Sequence, residues 1–377
     1  MSALAPILLT AGGTGGHMFP AEALAAALLK RGRRVMLVTD MRGQGFGERL
    51  PDVETKRIQA GALAGKRLTD RLGGLLRLAQ GYFEARKIVR AAKPALAVGF
   101  GGYASVPAML AASHAHVPLL LHEQNAVMGR ANRLLAPRAN KIATCFEQVG
   151  ALPASARGRA VVTGNPVRPA IAALAHSLYV APQPTGALEL LVIGGSQGAR
   201  ILSQVVPAAI ERLGPSDRAR LRLAQQCRAE DLETVASTYR RLGFAAELKP
   251  FFADMPARLA HIHLMIARSG ASTVAELQAA GRPAILVPYR YAADDHQTAN
   301  ARAMAQAGAA WVMTESEFTA ETLAARLAAL LADPQQLAAA AAASRKLSHP
   351  DAAERLADLA EALAPAGSPR GAGKEAA

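Results

Sequence analysis

Ile266 to Gln297 reads IARSGASTVAELQAAGRPAILVPYRYAADDHQ, and the fold of the chain is decided by how this stretch turns. An apolar run ends at Ile266-Ala267 as a strand, the chain turns on Arg268, Ser269 and Gly270, and a helix opens with Ala271, Ser272 and Thr273. Glu276 lies one turn inside that helix, Gly281 stops it, and Pro283 opens a second buried strand, Ala-Ile-Leu-Val, before a polar loop. A strand-glycine-helix turn leaves backbone N–H groups free at the positive end of the helix dipole, which suits a phosphate, and a carboxylate one turn inside can reach a ribose. An ordinary β-α-β unit with hydroxyl caps is written with the same letters. The rest of the chain has to choose.

The stretch has an echo. LAVGFGGYASVPAMLAASHAHVPLLLHEQN, residues 96–125, repeats its order of strand, glycine turn, helix and strand, with Ala108 where the later copy has Glu276. ILLTAGGTGGHMFPAEALAAALLKRG, residues 7–32, is likewise matched by LLVIGGSQGARILSQVVPAAIERLG, residues 190–214. Two α/β domains of similar topology follow, each a Rossmann-like, doubly wound parallel sheet, facing one another so that four glycine loops converge on one interdomain cleft. TGNPVRP, with a glycine and two prolines, marks the switch. The expected division is 1–165, 166–347, a helix at 348–364 crossing back to the first domain, and a disordered tail at 365–377. Within the first domain a helix is expected over Pro20 to Lys30, and a basic, mostly helical stretch over Lys56 to Lys93.

A chain of 377 residues, 51% hydrophobic, has enough apolar material for two cores. Cys145 and Cys227 make no disulfide framework or metal-ligand cluster, which fits a reducing cytoplasm. Met1 to Thr10 lacks a basic start and reads as a first strand and not a signal peptide. No apolar run is long enough to span a membrane. The net charge of +14 asks for an anionic partner: nucleic acid, an acidic membrane surface or a phosphorylated small molecule. Between Lys56 and Lys93 ten Lys or Arg stand against Asp70 and Glu84, with Leu72, Leu75, Leu76, Leu78, Tyr82 and Phe83 interleaved. Such a segment can be a solvated helix with its apolar stripe turned inward, or a surface that rests on an anionic membrane. Nucleic acid is disfavoured by the lack of a recognition motif and the scarcity of stacking aromatics.

The loop at Gly12 to His17 has glycines at 12, 13, 15 and 16, so the dinucleotide spacing G-x-G-x-x-G is not met. It offers close backbone approach to a ligand, and places His17 where the chain enters a helix. There the dipole can keep an imidazole neutral, as a general base requires. A loop histidine bonded only to backbone is the alternative. Gly194 to Ala199 repeats the turn with Ser196 and Gln197 as donors, and His122 to Asn125 gathers polar side chains and the Glu123 carboxylate at a strand end, which suits a polar substrate. The pairs His114/His116 and His261/His263 lack a third ligand, and no Asp-x-Asp occurs, so no metal is expected.

Taken in order, GGTGGH, GFGGYAS, HEQN, TGNPVR, GGSQGA, FFADM, ARSGASTVAE and AADDHQTANA closely resemble the MurG family of bacterial N-acetylglucosamine transferases, over about Pro6 to Leu347. The resemblance implies a GT-B fold with an acceptor-binding first domain and a donor-binding second. It implies inverting transfer of GlcNAc from UDP-GlcNAc to the 4-hydroxyl of the muramyl sugar of lipid I, giving lipid II and UDP. It places Glu276 on the ribose and Ala271, Ser272, Thr273, Val274 and Ala275 around the diphosphate, with Ser196 and Arg168 also on the nucleotide and the Phe252 backbone at uracil. Asn125 and Gln297 would bind GlcNAc, with Asn300 close by and Thr298 as the alternative to Gln297. Thr14, Gly15 and Gly16 would approach the donor from across the cleft. His17 is the expected base and Glu123 the second candidate. No cofactor is required. The implied partners are UDP-GlcNAc, lipid I, an anionic membrane surface met through residues 56–93, and cell-wall synthesis enzymes, at the cytoplasmic face of the inner membrane. A UDP-GlcNAc 2-epimerase and a non-catalytic nucleotide-sugar-binding module are the alternatives.

Overall fold

The computed structural model describes residues 5–12, 15–40, 50, 53–61, 68–195 and 198–364. Thr14, Ser196 and Gln197, and the expected tail at 365–377, lie outside the described residues.

The first sheet holds β1 (Ile7–Thr10), β2 (Val35–Thr39), β3 (Glu54–Arg57), β4 (Leu96–Gly99), β5 (Leu119–Glu123), β6 (Lys141–Thr144) and β7 (Ala160–Val162). Its order is β3-β2-β1-β4-β5-β6-β7, every pairing is parallel, and Ile7 is in register with Val35 on one side and Leu96 on the other. Helices α1 (Gly15–Lys30), α2 (Leu68–Ala92), α3 (Ser105–His114) and α4 (Arg130–Leu135) join these strands. β1, β2, β4 and β5 are buried throughout because helices cover both faces, so β1, β2 and β4 are nearly continuous apolar runs, and β5 is apolar up to Leu121 before it ends in the buried His122 and Glu123.

A short helix, α5 (Pro169–Ala172), leads into the second domain. There follow β8 (Leu188–Ile193), α6 (Arg200–Arg212), α7 (Pro215–Arg220), β9 (Leu221–Gln226), α8 (Leu232–Arg241) and β10 (Ala246–Lys249). The chain continues through α9 (Met255–His261), β11 (Leu264–Ala267), α10 (Ala271–Ala280), β12 (Ala284–Leu286), α11 (His296–Gln306) and β13 (Ala310–Val312), and ends with α12 (Ala320–Ala332), α13 (Gln335–Lys346) and α14 (Ala352–Leu363). The sheet order is β10-β9-β8-β11-β12-β13, again all parallel. In each sheet the order reverses beside the first strand, between β1 and β4 and between β8 and β11. The glycine turns leave those four strands, which is where open α/β sheets bind ligands. The fold is GT-B.

α14 packs on α1: Leu356, Ala357 and Ala360 share a core with Leu24 and Leu28. Arg31 pairs there with Asp358 at 2.6 Å, Glu361 at 2.9 Å and Glu354.

Two local expectations are corrected. The first helix begins at Gly15 and not at Pro20, which sits inside it and contributes no N–H, so His17 occupies the first turn. Lys56 and Arg57 belong to the exposed edge strand β3, whose four residues ETKR give no apolar signal of a strand. α2 then turns Gly74, Gly81, Ala85 and Val89 inward. Gly81 is required: a Cβ there would stand 1.8 Å from the Gln59 carbonyl oxygen.

Candidate active site

A cavity of about 470 Å³ opens between the domains, with Gly16, His17, Gly102 and Glu123 on one wall and Gly270 and Ala271 on the other. The first wall depends on two glycine turns meeting backbone to backbone. Gly102 has φ +77°, and a Cβ on it would lie 3.1 Å from the Gly12 Cα. That close approach lets the first turn of α1 lean over the end of β5 and bring His17 to Gln124, with Nδ1 and Oε1 at 3.2 Å.

Burial lowers the His17 pKa, with the Glu123 charge opposing it, so the imidazole is neutral at neutral pH. Glu123 is itself buried, with both oxygens engaged. Oε1 accepts from the Asn125 amide at 3.0 Å and side chain at 3.3 Å, and Oε2 from the Gly129 amide at 2.9 Å and Asn132 Nδ2 at 2.8 Å. A carboxylate so held is a brace for the 123–132 turn. His122, behind it, is pushed down to about 4 by burial, against its hydrogen bond with the Gly164 carbonyl.

The second wall is the start of α10. Gly270 is its extended N-cap, no side chain caps it, and the first intrahelical bond of the turn runs from the Val274 N–H to the Gly270 carbonyl. The amides of Ala271, Ser272 and Thr273 therefore point out of the helix end, as an anion site requires. Ser272 Oγ is buried without a hydrogen-bond partner. Val274 and Ala275 are buried in the second domain's core, so of the five residues expected around a diphosphate the first three carry the free donors. Glu276 accepts from Arg168 at 3.0 Å. Burial raises its pKa and the Arg168 charge opposes the rise.

Polar contacts tie the walls together. Asn300, fully buried, accepts from the Ala126 amide at 2.8 Å and donates to Asn125 Oδ1 at 3.1 Å and the Ser269 carbonyl at 3.0 Å. Arg130 and Arg133 both reach Asp294, and hydrogen bonding from Arg130 holds that carboxyl below its usual range. Arg168 also lies over the Phe19 ring, 5.7 Å from its centroid.

His17, Gly16, Glu123, Asn125 and Ala271 line this one cavity, with Gly15 opening α1 beside them. Gln297 braces a loop, its Oε1 accepting from the Tyr289 amide at 3.0 Å. Thr298 bonds Asp295 at 2.6 Å. The Phe252 ring is buried in the core under the Arg258 guanidinium, 4.0 Å from its centroid, which leaves only its backbone for a ligand. His114 meets the Tyr82 hydroxyl at 2.7 Å and His263 accepts from the Glu189 amide at 2.9 Å. Among the described residues no group of three or more His, Cys, Asp or Glu could hold a metal ion. Sequence reading gave no role to Tyr103, Arg130, Asn132, Asp294 or His296, all on the cavity wall, although Tyr103 falls in the quoted motif GFGGYAS and Asp294 and His296 in AADDHQTANA.

Two family descriptions match the chain: glycosyltransferase family 28 N-terminal domain over residues 7–144 and glycosyltransferase family 28 C-terminal domain over residues 189–356. The chain is 56% identical over 355 residues to the UDP-N-acetylglucosamine--N-acetylmuramyl-(pentapeptide) pyrophosphoryl-undecaprenol N-acetylglucosamine transferase of Rhodospirillum centenum, covering 94% of this chain and 93% of that one. It is 54% identical over 366 residues to the protein of the same name from Paramagnetospirillum magneticum, covering 97% and 99%. The crystal structure of Acinetobacter baumannii MurG is similar with a TM-score of 0.77 at 30% identity, covering 95% of this chain and 99% of that one. A putative UDP-N-acetylglucosamine 2-epimerase from Listeria monocytogenes is similar in fold alone, with a TM-score of 0.67 at 17% identity over 94% and 95%. The class is therefore that of the GT-B glycosyltransferases. Within it, the chain belongs to the MurG family of glycosyltransferase family 28.

Proposed function

We propose that this enzyme moves GlcNAc from UDP-GlcNAc to the 4-hydroxyl of the N-acetylmuramyl sugar of lipid I, with inversion, yielding lipid II and UDP. The observation that carries the reading is the pairing, across one cavity, of a neutral imidazole at His17 with an uncapped helix N-terminus at Ala271. His17 removes the acceptor proton as the oxygen attacks the anomeric carbon on the face opposite UDP. The leaving diphosphate takes up charge against the Ala271, Ser272 and Thr273 amides, and this preorganised field lowers the barrier without reorganising. Glu276 holds the ribose hydroxyls, with Arg168 beside it.

The acceptor is a lipid, and α2 supplies a surface for its membrane. Leu75 is 56% exposed, Leu76 65% and Phe83 58%, and Arg77, Arg86, Lys87 and Arg90 are exposed with them. No helix among the described residues is long and apolar enough to cross a membrane. Apolar side chains flanked by cations give reversible docking on an anionic leaflet, which would set the cleft at the cytoplasmic face.

UDP release, measured with and without a lipid I analogue, tests the reading. Release that depends on the analogue is expected. Formation of UDP-ManNAc from UDP-GlcNAc alone would replace it with an epimerase, and binding of UDP-GlcNAc without any release would replace it with a non-catalytic module.

A further inference from the structure

Gln124 lies behind His17 and takes no part in the chemistry just described. Its Nε2 is 3.0 Å from the Phe100 carbonyl, 2.9 Å from His122 Nδ1 and 3.1 Å from the His122 carbonyl. Two of these are backbone oxygens that can only accept, so the amide nitrogen must face them and Oε1 must face His17. A flipped amide would set oxygen against two carbonyls in a site from which water is excluded, leaving all three unsatisfied. The His17 nitrogen that meets Oε1 is Nδ1, at 3.2 Å, and an oxygen acceptor there requires a proton on the ring. The neutral ring has one N–H to give.

His122 closes the arrangement. Its Nδ1 accepts from Gln124, and its Nε2 faces the Gly164 carbonyl at 3.3 Å, another group that only accepts. The His122 proton is thereby fixed on Nε2, and its Nδ1 lone pair is fixed toward Gln124. The Gln124 amide shares its two hydrogens among three acceptors, and His122 Nε2 also lies 3.6 Å from Cys145 Sγ; what the set fixes is the orientation of the amide, with Oε1 toward His17.

We propose that Gln124 is a positioning residue that holds the His17 proton on Nδ1, leaving Nε2 as the unprotonated nitrogen that receives the acceptor's proton, and that His122 and the Phe100 carbonyl fix Gln124 for this task. The role of Nε2 rests on the reading of His17 as the base. The placement of the proton does not, since it follows from the hydrogen bonds alone. Of the group His122-Glu123-Gln124-Asn125, Glu123 braces a turn and Asn125 joins the two domains, and the glutamine sets a tautomer.

The test is the nitrogen chemical shifts of His17 in the full-length protein labelled with 15N-histidine, assigned by comparison with His17→Ala. The expected spectrum at neutral pH shows the Nδ1–H form, in the wild type and without any substrate; an Nε2–H form would overturn the proposal. Gln124→Met removes the acceptor at similar volume and is expected to bring up the Nε2–H form. It should lower kcat for UDP release about 10- to 100-fold while leaving KM for UDP-GlcNAc within about twofold. An unchanged tautomer and kcat in Gln124→Met would refute the role, and should that variant not fold, the wild-type spectrum decides alone. If His17→Ala turns over normally while the spectrum is as stated, the base assignment fails and the proton placement stands.

Discussion

The Arg168 guanidinium donates to the Glu276 carboxylate at 3.0 Å, joining the segment that enters the second domain to the helix whose N-terminus faces the cleft. Burial raises the Glu276 pKa, and the Arg168 charge and hydrogen bond oppose that rise by favouring the carboxylate. An ionised Glu276 can accept from both ribose hydroxyls, and a hydrogen bond to a charged group contributes about 1.5–3 kcal/mol. Glu276→Ala is therefore expected to raise KM for UDP-GlcNAc about 10- to 100-fold and to abolish the enzyme's preference for UDP-GlcNAc over its 2′-deoxyribose analogue. Steady-state kinetics with the two donors decides it; a preference that survives the substitution would remove Glu276 from the ribose.

His17→Ala should cost about 10²- to 10⁴-fold in kcat, the usual range for a general base. The measurement is UDP release by purified, folded protein at saturating donor and lipid I analogue. Near-normal kcat would exclude His17. Glu123, the other candidate, is expected to fail differently: Glu123→Gln turns one of the two accepting oxygens into an NH2 and so strips the acceptor from one backbone amide and one side-chain donor, so its thermal midpoint should fall along with its rate.

Where burial wrote the sequence, the fold was legible. β1 and β4 are nearly continuous apolar runs because covering helices bury both their faces, and the stop of α10 at Gly281, φ +60°, is visible because few other residues adopt that backbone. β3 was not legible, since an exposed edge strand has no apolar face to announce it. The site divides in the same way. His17 and Glu123 stand at a helix entry and a strand end, where chemistry-bearing side chains are conspicuous. The link between Arg130 and Asp294 joins residues 164 apart in the chain, and the function of Gln124 depends on the Phe100 backbone carbonyl, which no side-chain pattern encodes.

The exposed face of α2 makes a prediction that separates docking from catalysis. Leu76→Glu with Phe83→Glu should abolish flotation with phosphatidylglycerol vesicles. Arg77, Arg86 and Lys87 changed together to Glu should weaken it about 100-fold or more, and raised salt should weaken the wild type in the same direction. UDP release with a water-soluble acceptor analogue should be unaffected in both variants, because none of these side chains lines the cleft. Undiminished flotation would remove α2 from the membrane.

His122 makes the fold sensitive to acid. In the unfolded chain its pKa is about 6.5, whereas in the folded protein burial holds it near 4. Between those values the unfolded chain binds a proton that the folded one does not, so stability rises with pH across this window. The contribution is complete above about pH 6.5 and is lost as pH falls toward 4, by roughly 3 kcal/mol at the lower limit. Burial lowers the His17 pKa too, which adds to the same trend. Thermal midpoints of the wild type and His122→Gln, taken from pH 7.5 to 4.5, should both decline. The variant starts lower, having lost the ring Nδ1 that accepts from Gln124, and should decline less steeply. Parallel curves would mean that the histidine does not titrate between the folded and unfolded states in this range.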